Sequence, residues 1–499
     1  MNYPHGPVSL IHDTQPPTLL ERSPSIDSPP EKVLAAIRAG QGLYLRFGDS
    51  SKTLLFEPSM LLSDQFRISI GTSSTLLAQP EVLVGWAIDP VANVSPARAT
   101  LSVVGQQAWG NWISEEGTTW QFHWKLDSPK VTLSETHRPL TVSSIEEDGI
   151  CRVREIPNAP YSPPRKFHGE ISAQGGLEPA TGEVAHYVDL IPASESYQKS
   201  LKNLDIILAI DQAATGSDEP ESLARVASQW LATAANVATI YENQLGIRLN
   251  LYELILIPDA PQYSDIPSDN VLADFRNWMA QERPRSEYGW HSAFKVGVGL
   301  PSQILGLAKV GALGTTDSIG TIRANSGWDT LAHELGHTLG ASHTLGGLMN
   351  GSANDGGNRD FFTEAETSRG RTAAWQIYNR SRDKLSGPAT LRNPTEIPFA
   401  KNDFRVIPLD KAITFDPRDN DLRRVTLGAK NGALSIDSVG QLRPLGAGSI
   451  SNNGGEVHFQ PTTGFNGPAW FSYTLRGSIG NSGDGWLHKG DITMLVGGK

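Results

Sequence analysis

The sequence has one cysteine, Cys151, among 499 residues, so no intrachain disulfide can form and the fold must rest on ordinary cores or on metals. It has no apolar run near the roughly 20 residues that span a bilayer, which excludes a helical membrane protein. Its first thirty residues lack the apolar stretch of a secretory signal, so the expectation is a soluble chain. It has no block of lysine and arginine, and 42 basic against 53 acidic residues give a net charge of -11, which argues against a nucleic-acid partner. Charge is sparse at 19%, yet the hydrophobic share of 38% plus 49 glycines is that of a globular protein, excluding a disordered or collagen-like chain. Tandem repeats and long low-complexity tracts are missing too, which removes solenoids.

The length implies several independent cores. Low charge, 33 prolines and 12 tryptophans fit a bacterial, secreted or cell-surface, β-rich enzyme whose signal peptide has been trimmed. Residues 1–30 are rich in proline and serine and read as a flexible leader. Residues 31–154 hold short alternating runs at 42–47, 66–70 and 119–124, as in an antiparallel sheet. Prolines 157, 160, 163 and 164 withhold backbone donors, so 155–183 reads as a linker. From 184 to 387 the order changes to strand (204–210), helix (221–245), strand (247–257), helix (269–281), two strands (293–298, 304–310) and further helices, the last near 364–384. Residues 395–499 return to short strands at sandwich-like intervals, among them 413–415, 425–427, 457–459 and 470–474. The fold class is therefore multidomain α+β: an α/β unit flanked by an N-terminal β-rich unit and a C-terminal all-β sandwich.

Chemistry concentrates in one segment. Of 12 histidines, His333, His337 and His343 fall within eleven positions, with Glu334 beside the first. On a helix His333 and His337 stand one turn apart on the same face, where both imidazoles reach one cation at about 2.0–2.1 Å. Gly340 permits the left-handed backbone that ends a helix, after which the chain can turn so that His343 approaches the same point. Three neutral nitrogens leave a fourth tetrahedral position for water, the mark of a catalytic zinc site. Glu334 is placed to take that water's proton and deliver it to a leaving amine, which is metal-assisted peptide hydrolysis with a protein or peptide as substrate.

The extended pattern His333-Glu334-x-x-His337-x-x-Gly340-x-x-His343, followed by Met349, resembles the signature of metzincin metallopeptidases. The order of elements ahead of it is most similar to reprolysin or adamalysin-like bacterial enzymes, although Thr344 stands where typical reprolysins carry Asp and no tyrosine follows Met349. The resemblance implies a metzincin-type catalytic domain over 184–387 and a methionine turn in which Met349 forms an apolar floor. It also implies an edge strand at Gly306, Leu307 and Ala308 that pairs with an extended substrate. In such zymogens a propeptide cysteine often occupies the open zinc position. Cys151 sits where that would place it, and Arg152 and Arg154 favour its thiolate; a buried structural thiol is the other reading.

By the same resemblance 31–154 is a prodomain acting as intramolecular inhibitor, with a carbohydrate-binding sandwich as the competing idea for its tryptophans. The C-terminal unit resembles bacterial cadherin-like sandwiches, where Asp403, Asp416, Asp419 and Asp421 offer oxygen ligands to calcium or serve as solvated turn residues. The functional expectation is a secreted zinc endopeptidase; its alternative is a surface adhesion or binding protein whose zinc domain is inactive or structural.

Overall fold

The structure is a computed structural model. It describes residues 30–38, 40–47, 50–71, 79–89, 96–113, 119–128, 130–136, 142–147, 150–155, 165–173, 202–215, 217–257, 268–297, 300, 304–324, 326–343, 348–349, 400–424, 429–430, 434–479 and 482–497. It is mostly β, in several sheets, and no described helix is long and apolar enough to cross a membrane.

After helix α1 (Pro30–Arg38) the N-terminal part forms β1 (Leu43–Phe47), β2 (Ser50–Pro58), β3 (Leu62–Ile70), β4 (Glu81–Ile88), β5 (Ala97–Val104) and β6 (Gln107–Ile113). It continues with β7 (Thr119–Lys125), β8 (Lys130–Thr136), β9 (Val142–Glu147), β10 (Ile150–Glu155) and β11 (Arg165–Ala173). Eight of these close a barrel in the order β1-β11-β8-β7-β6-β5-β4-β2. Closure leaves no edge exposed, and the alternating inward residues Leu43, Leu45, Phe47, Leu101, Val103, Phe122, Trp124, Val131 and Leu133 fill it. Trp112 belongs to the same core and Trp120 stacks on it at 5.5 Å. Leu34 and Ile37 of α1 join the same core.

The second sheet contains β12 (Lys202–Asp211), β13 (Ile247–Ile257), β14 (Ser292–Gly297), β15 (Ile304–Lys309) and β16 (Ile319–Arg323), in the order β3-β13-β12-β14-β16-β15-β10-β9. β12 pairs in parallel with β13 and β14, and β16 in parallel with β14; β15 runs antiparallel to β16. β12 is buried on both faces. Leu204, Ile206, Leu208 and Ile210 enter one core, while Ile207 and Ala209 face Phe275 and Met279 of helix α3 (Ser268–Glu282). Each such side chain contributes about 1.5–3 kcal/mol of burial.

Helix α2 (Pro220–Ile240) starts with Pro at its first turn and is apolar on nearly every face, as suits a helix enclosed on all sides. On one side it meets the barrel: Thr100 donates to the Ala232 carbonyl at 3.0 Å and Ser102 to the Ser228 carbonyl at 2.7 Å. On another it packs against helix α4 (Trp328–Thr338). It ends in a wide π turn, Tyr241–Leu245, closed by Gly246 at φ 65.

The C-terminal unit is a sandwich. One sheet orders Asp403–Ile407, Ser482–Val496, Gly467–Ile479 and Leu434–Val439; the other orders Ile413–Phe415, Glu456–Pro461 and Gly448–Asn453. Trp470 packs on Leu55, Trp86 and Ile88 of the barrel, and Lys489 donates to Glu57 Oε1 at 2.6 Å.

Three expectations change. The stretch 155–183 read as a linker contains β11, which completes the barrel by pairing with β1 and β8, because the prolines end at 164 and 165–173 is free to alternate. The boundary at 154 does not separate two sheets: β3, β9 and β10 leave the N-terminal unit and join the sheet assigned to 184–387. The third change concerns β15. It is not an edge, because β10 pairs along its outer side. The leader before Pro30, the helix near 364–384 and the strand at 425–427 lie outside the described residues.

Candidate metal centre

α4 carries Asp329 in its first turn, where an acid suits the helix dipole, and stops after Thr338. The stop is made by Gly340 at φ 89, with Gly340 N–H donating to the His337 carbonyl at 2.8 Å and Ala341 N–H to the Gly336 carbonyl at 3.1 Å. This pair of bonds satisfies carbonyls that the helix end would leave open and turns the chain back. His343 is thereby delivered to the same point as the two helical histidines, as the spacing implied. The Nε2 atoms of His333 and His337 are 2.9 Å apart, and His343 Nε2 lies 3.3 and 3.1 Å from them.

The other ring nitrogens decide what these atoms carry. His333 Nδ1 donates to the Leu348 carbonyl at 2.9 Å and His337 Nδ1 to the Ala341 carbonyl at 2.7 Å. A carbonyl can only accept, so both Nδ1 atoms hold the proton and both Nε2 atoms present lone pairs. Two lone pairs facing each other in a buried site repel, and a shared divalent cation removes that repulsion. Burial and the neighbouring imidazoles His333 and His343 hold His337 well below the usual histidine range, in the neutral form a metal needs. Among the described residues this trio is the one group of His, Cys, Asp or Glu whose ligand atoms lie mutually within 4.8 Å. The donor set fits zinc.

Glu334 is fully buried, and neither carboxylate oxygen has a hydrogen-bond partner. Burial pushes its carboxyl well above the ordinary carboxylate range. A buried acid without a hydrogen-bond partner, next in sequence to a histidine of a trio that could hold a metal, has the environment of a proton-transfer group. Gly306 of β15 stands directly against it. Met349 is fully buried against the helix, where a Cβ at Gly336 would stand 2.5 Å from its Sδ.

Two groups that the sequence did not reveal support the site. Tyr241, in the π turn, donates its hydroxyl to the Ala332 carbonyl at 2.7 Å, one residue before His333. β10 lies antiparallel on β15 with Cys151 opposite Ala308, Arg152 opposite Leu307 and Val153 opposite Gly306. Only the backbone of Cys151 is among the described features.

The aspartates offered to calcium are not drawn together in this way. Asp416 is bound by Arg418 at 2.7 Å, Asp403 by Arg405 at 2.8 Å, and Asp421 accepts from Lys401 N–H at 2.7 Å and Tyr473 at 2.9 Å. Protein donors take part of this oxygen set, while Asp403 Oδ2 is buried without a hydrogen-bond partner.

Residues 200–372 match the family model Reprolysin_5, metallo-peptidase family M12. No curated protein matches the sequence. Among solved structures, a chain in the "Structure of a chaperone-substrate complex" is similar at 17% identity and a TM-score of 0.29, over 36% of this chain and 35% of that one, so this chain spans about a third of its length. Metalloproteinase-II from Bacteroides fragilis is similar at 12% identity and a TM-score of 0.37, over 66% of this chain and 91% of that one. Over residues 200–372 this chain is thus similar to M12 metallopeptidases, and that match together with the histidine trio supports a metallopeptidase.

Proposed function

We propose that this chain is a secreted zinc endopeptidase of metzincin type, held latent by its own N-terminal unit. The observation that carries the reading is the convergence of three imidazole Nε2 atoms within 3.3 Å beside a buried, unpartnered carboxyl. His333, His337 and His343 would hold the ion, which when bound supplies Lewis-acid activation of water and carbonyl. Glu334 takes the proton from the attacking water and passes it to the leaving amine. That carboxyl is fully buried, with Gly306 of β15 against it.

Latency follows from β10. An extended peptide would pair along β15, and β10 already uses those backbone groups, next to Gly306 and therefore next to Glu334. Cys151, two residues from the position opposite Gly306, is the candidate fourth ligand in the latent form.

The test compares cleavage of an unfolded protein by the chain with residues 137–164 replaced by a short glycine–serine turn, with and without Glu334→Ala, and zinc is measured in both. Zinc in both and cleavage only with Glu334 intact is expected; a chain that binds no zinc ends the reading. Cys151→Ala should release activity without proteolysis, and unchanged latency in that variant would remove the thiol from the scheme.

A further inference from the structure

The barrel has a topology that assigns different tasks to two of its excursions. β2 and β4 are neighbours in the barrel, yet the chain leaves between them to place β3 in the catalytic sheet. β8 and β11 are neighbours too, yet the chain leaves between them to form the β9–β10 hairpin. The barrel would close without either. Both excursions go to the same sheet and reach its opposite ends, β3 against β13 and β10 against β15.

The end remote from the histidines is fixed by buried side chains. Glu253 of β13 is completely buried and receives Arg283 at 2.9 and 3.0 Å from its own unit. From β3 it receives Arg67 at 3.1 Å and Ser69 at 2.5 Å. Arg67 also lies over the rings of Tyr252 and Tyr288, at 5.8 and 5.3 Å. Withdrawing β3 would strip two of these donors from a buried carboxylate and bare the edge of a buried parallel strand, both costly. β10 is held in the sheet by main-chain pairing, with β15 on one side and β9 on the other.

We infer that β3 is a permanent anchor and the β9–β10 hairpin a separable strap: cutting the connection between 173 and 202 leaves the N-terminal unit bound, and β15 opens only when the hairpin is displaced. The meaning of an opened β15 rests on the peptidase reading; the anchoring does not.

The experiment uses the full chain carrying Glu334→Ala, so that no outcome depends on activity. A recognition sequence for a site-specific protease is inserted between 174 and 201, and the cut protein is run on a sizing column. Co-elution of both fragments is expected, and their separation overturns the anchor. With Arg67→Met and Ser69→Ala added, the fragments should part at least tenfold faster; an unchanged rate overturns the assignment to Glu253. For the strap, 137–164 is replaced by a short glycine–serine turn, and binding of a labelled peptide spanning residues 149–157, carrying Cys151→Ser, is followed by anisotropy. Binding at least tenfold tighter than to the parent is expected, and equal binding overturns the strap. Val153→Pro, which removes one ladder donor from a strand paired on both sides, should act in the same direction and covers the case in which the deletion does not fold. Failure of the strap-deleted chain with Glu334 intact to cleave any substrate would sink the peptidase reading while leaving these association results standing.

Discussion

Gly306 of β15 and Glu334 of α4 touch so closely that a Cβ at 306 would stand 2.6 Å from Glu334 Oε1. The strand above the site and the acid below it are therefore fitted to each other through the absence of a side chain. Gly306→Ala should displace the carboxyl while leaving the histidines in place. A misplacement of this order lowers kcat/KM by about a hundredfold. Zinc content should be unchanged, and its loss in the variant would show that the contact is not confined to Glu334.

Tyr241→Phe tests the support of the helix. The hydroxyl bond to the Ala332 carbonyl is buried, and burial, with the nearby Glu334 adding to it, keeps the phenol protonated well beyond its usual range, so it stays a donor at all working pH. Its loss should lower stability by about 1 kcal/mol, read from urea unfolding. Zinc should also dissociate faster from the variant, because the first turn bearing His333 loses a tie; wild-type release rates would show that the tie is not felt at the metal.

Most of the site was legible because it is local. His333, Glu334, His337, Gly340 and His343 are fixed by helix period and one left-handed glycine, and the structure places them together as the spacing required. The strand 204–210 was legible as a nearly continuous apolar run, since a parallel strand buried on both faces leaves little polar alternation. What escaped was long-range pairing. β3 and β10 have ordinary alternating sequences, and nothing in them says that they join a sheet more than a hundred residues away instead of the barrel around them. β11 was hidden by the prolines preceding it, and β16, at Ile319–Arg323, is too short to stand out beside the motif helix.

Glu253 gives an acid limb to stability. Burial alone would raise its carboxyl, but Arg283, Arg67 and Ser69 together outweigh that and hold it below its ordinary range. A depressed folded value means that the folded state releases this proton more readily than the unfolded one. Its contribution is therefore complete above the ordinary carboxyl pKa and is lost as pH falls through the lower folded value. Glu253→Gln should cost about 3–5 kcal/mol at neutral pH, because the buried Arg283 guanidinium and the half-buried one of Arg67 lose their counter-charge. The loss should shrink toward acid pH, and a pH-independent difference in unfolding free energy would contradict the pairing.

The sandwich should respond to pH with the opposite sign. Burial raises Asp421 to about 7, with the charges of Asp403 and Asp416 adding to it, and raises Asp403 to about 6, with those of Asp419 and Asp416 adding to it. Here the folded state keeps protons that the unfolded chain gives up near the ordinary value of 3.8. Stability from these groups is thus greatest below that value and declines as pH rises to about 7, by at most about 1.4 kcal/mol per pH unit for each linked proton. Tyr473, whose single hydroxyl proton lies within reach of the Asp421 carboxylate at 2.9 Å, offsets part of the decline by solvating it. Calorimetry of the full chain should therefore show a transition that moves down in temperature between pH 5 and 7, and Asp421→Asn should flatten it. The Glu253-linked transition moves up or stays level over the same interval, so two transitions shifting together in one direction would refute the assignment of either group.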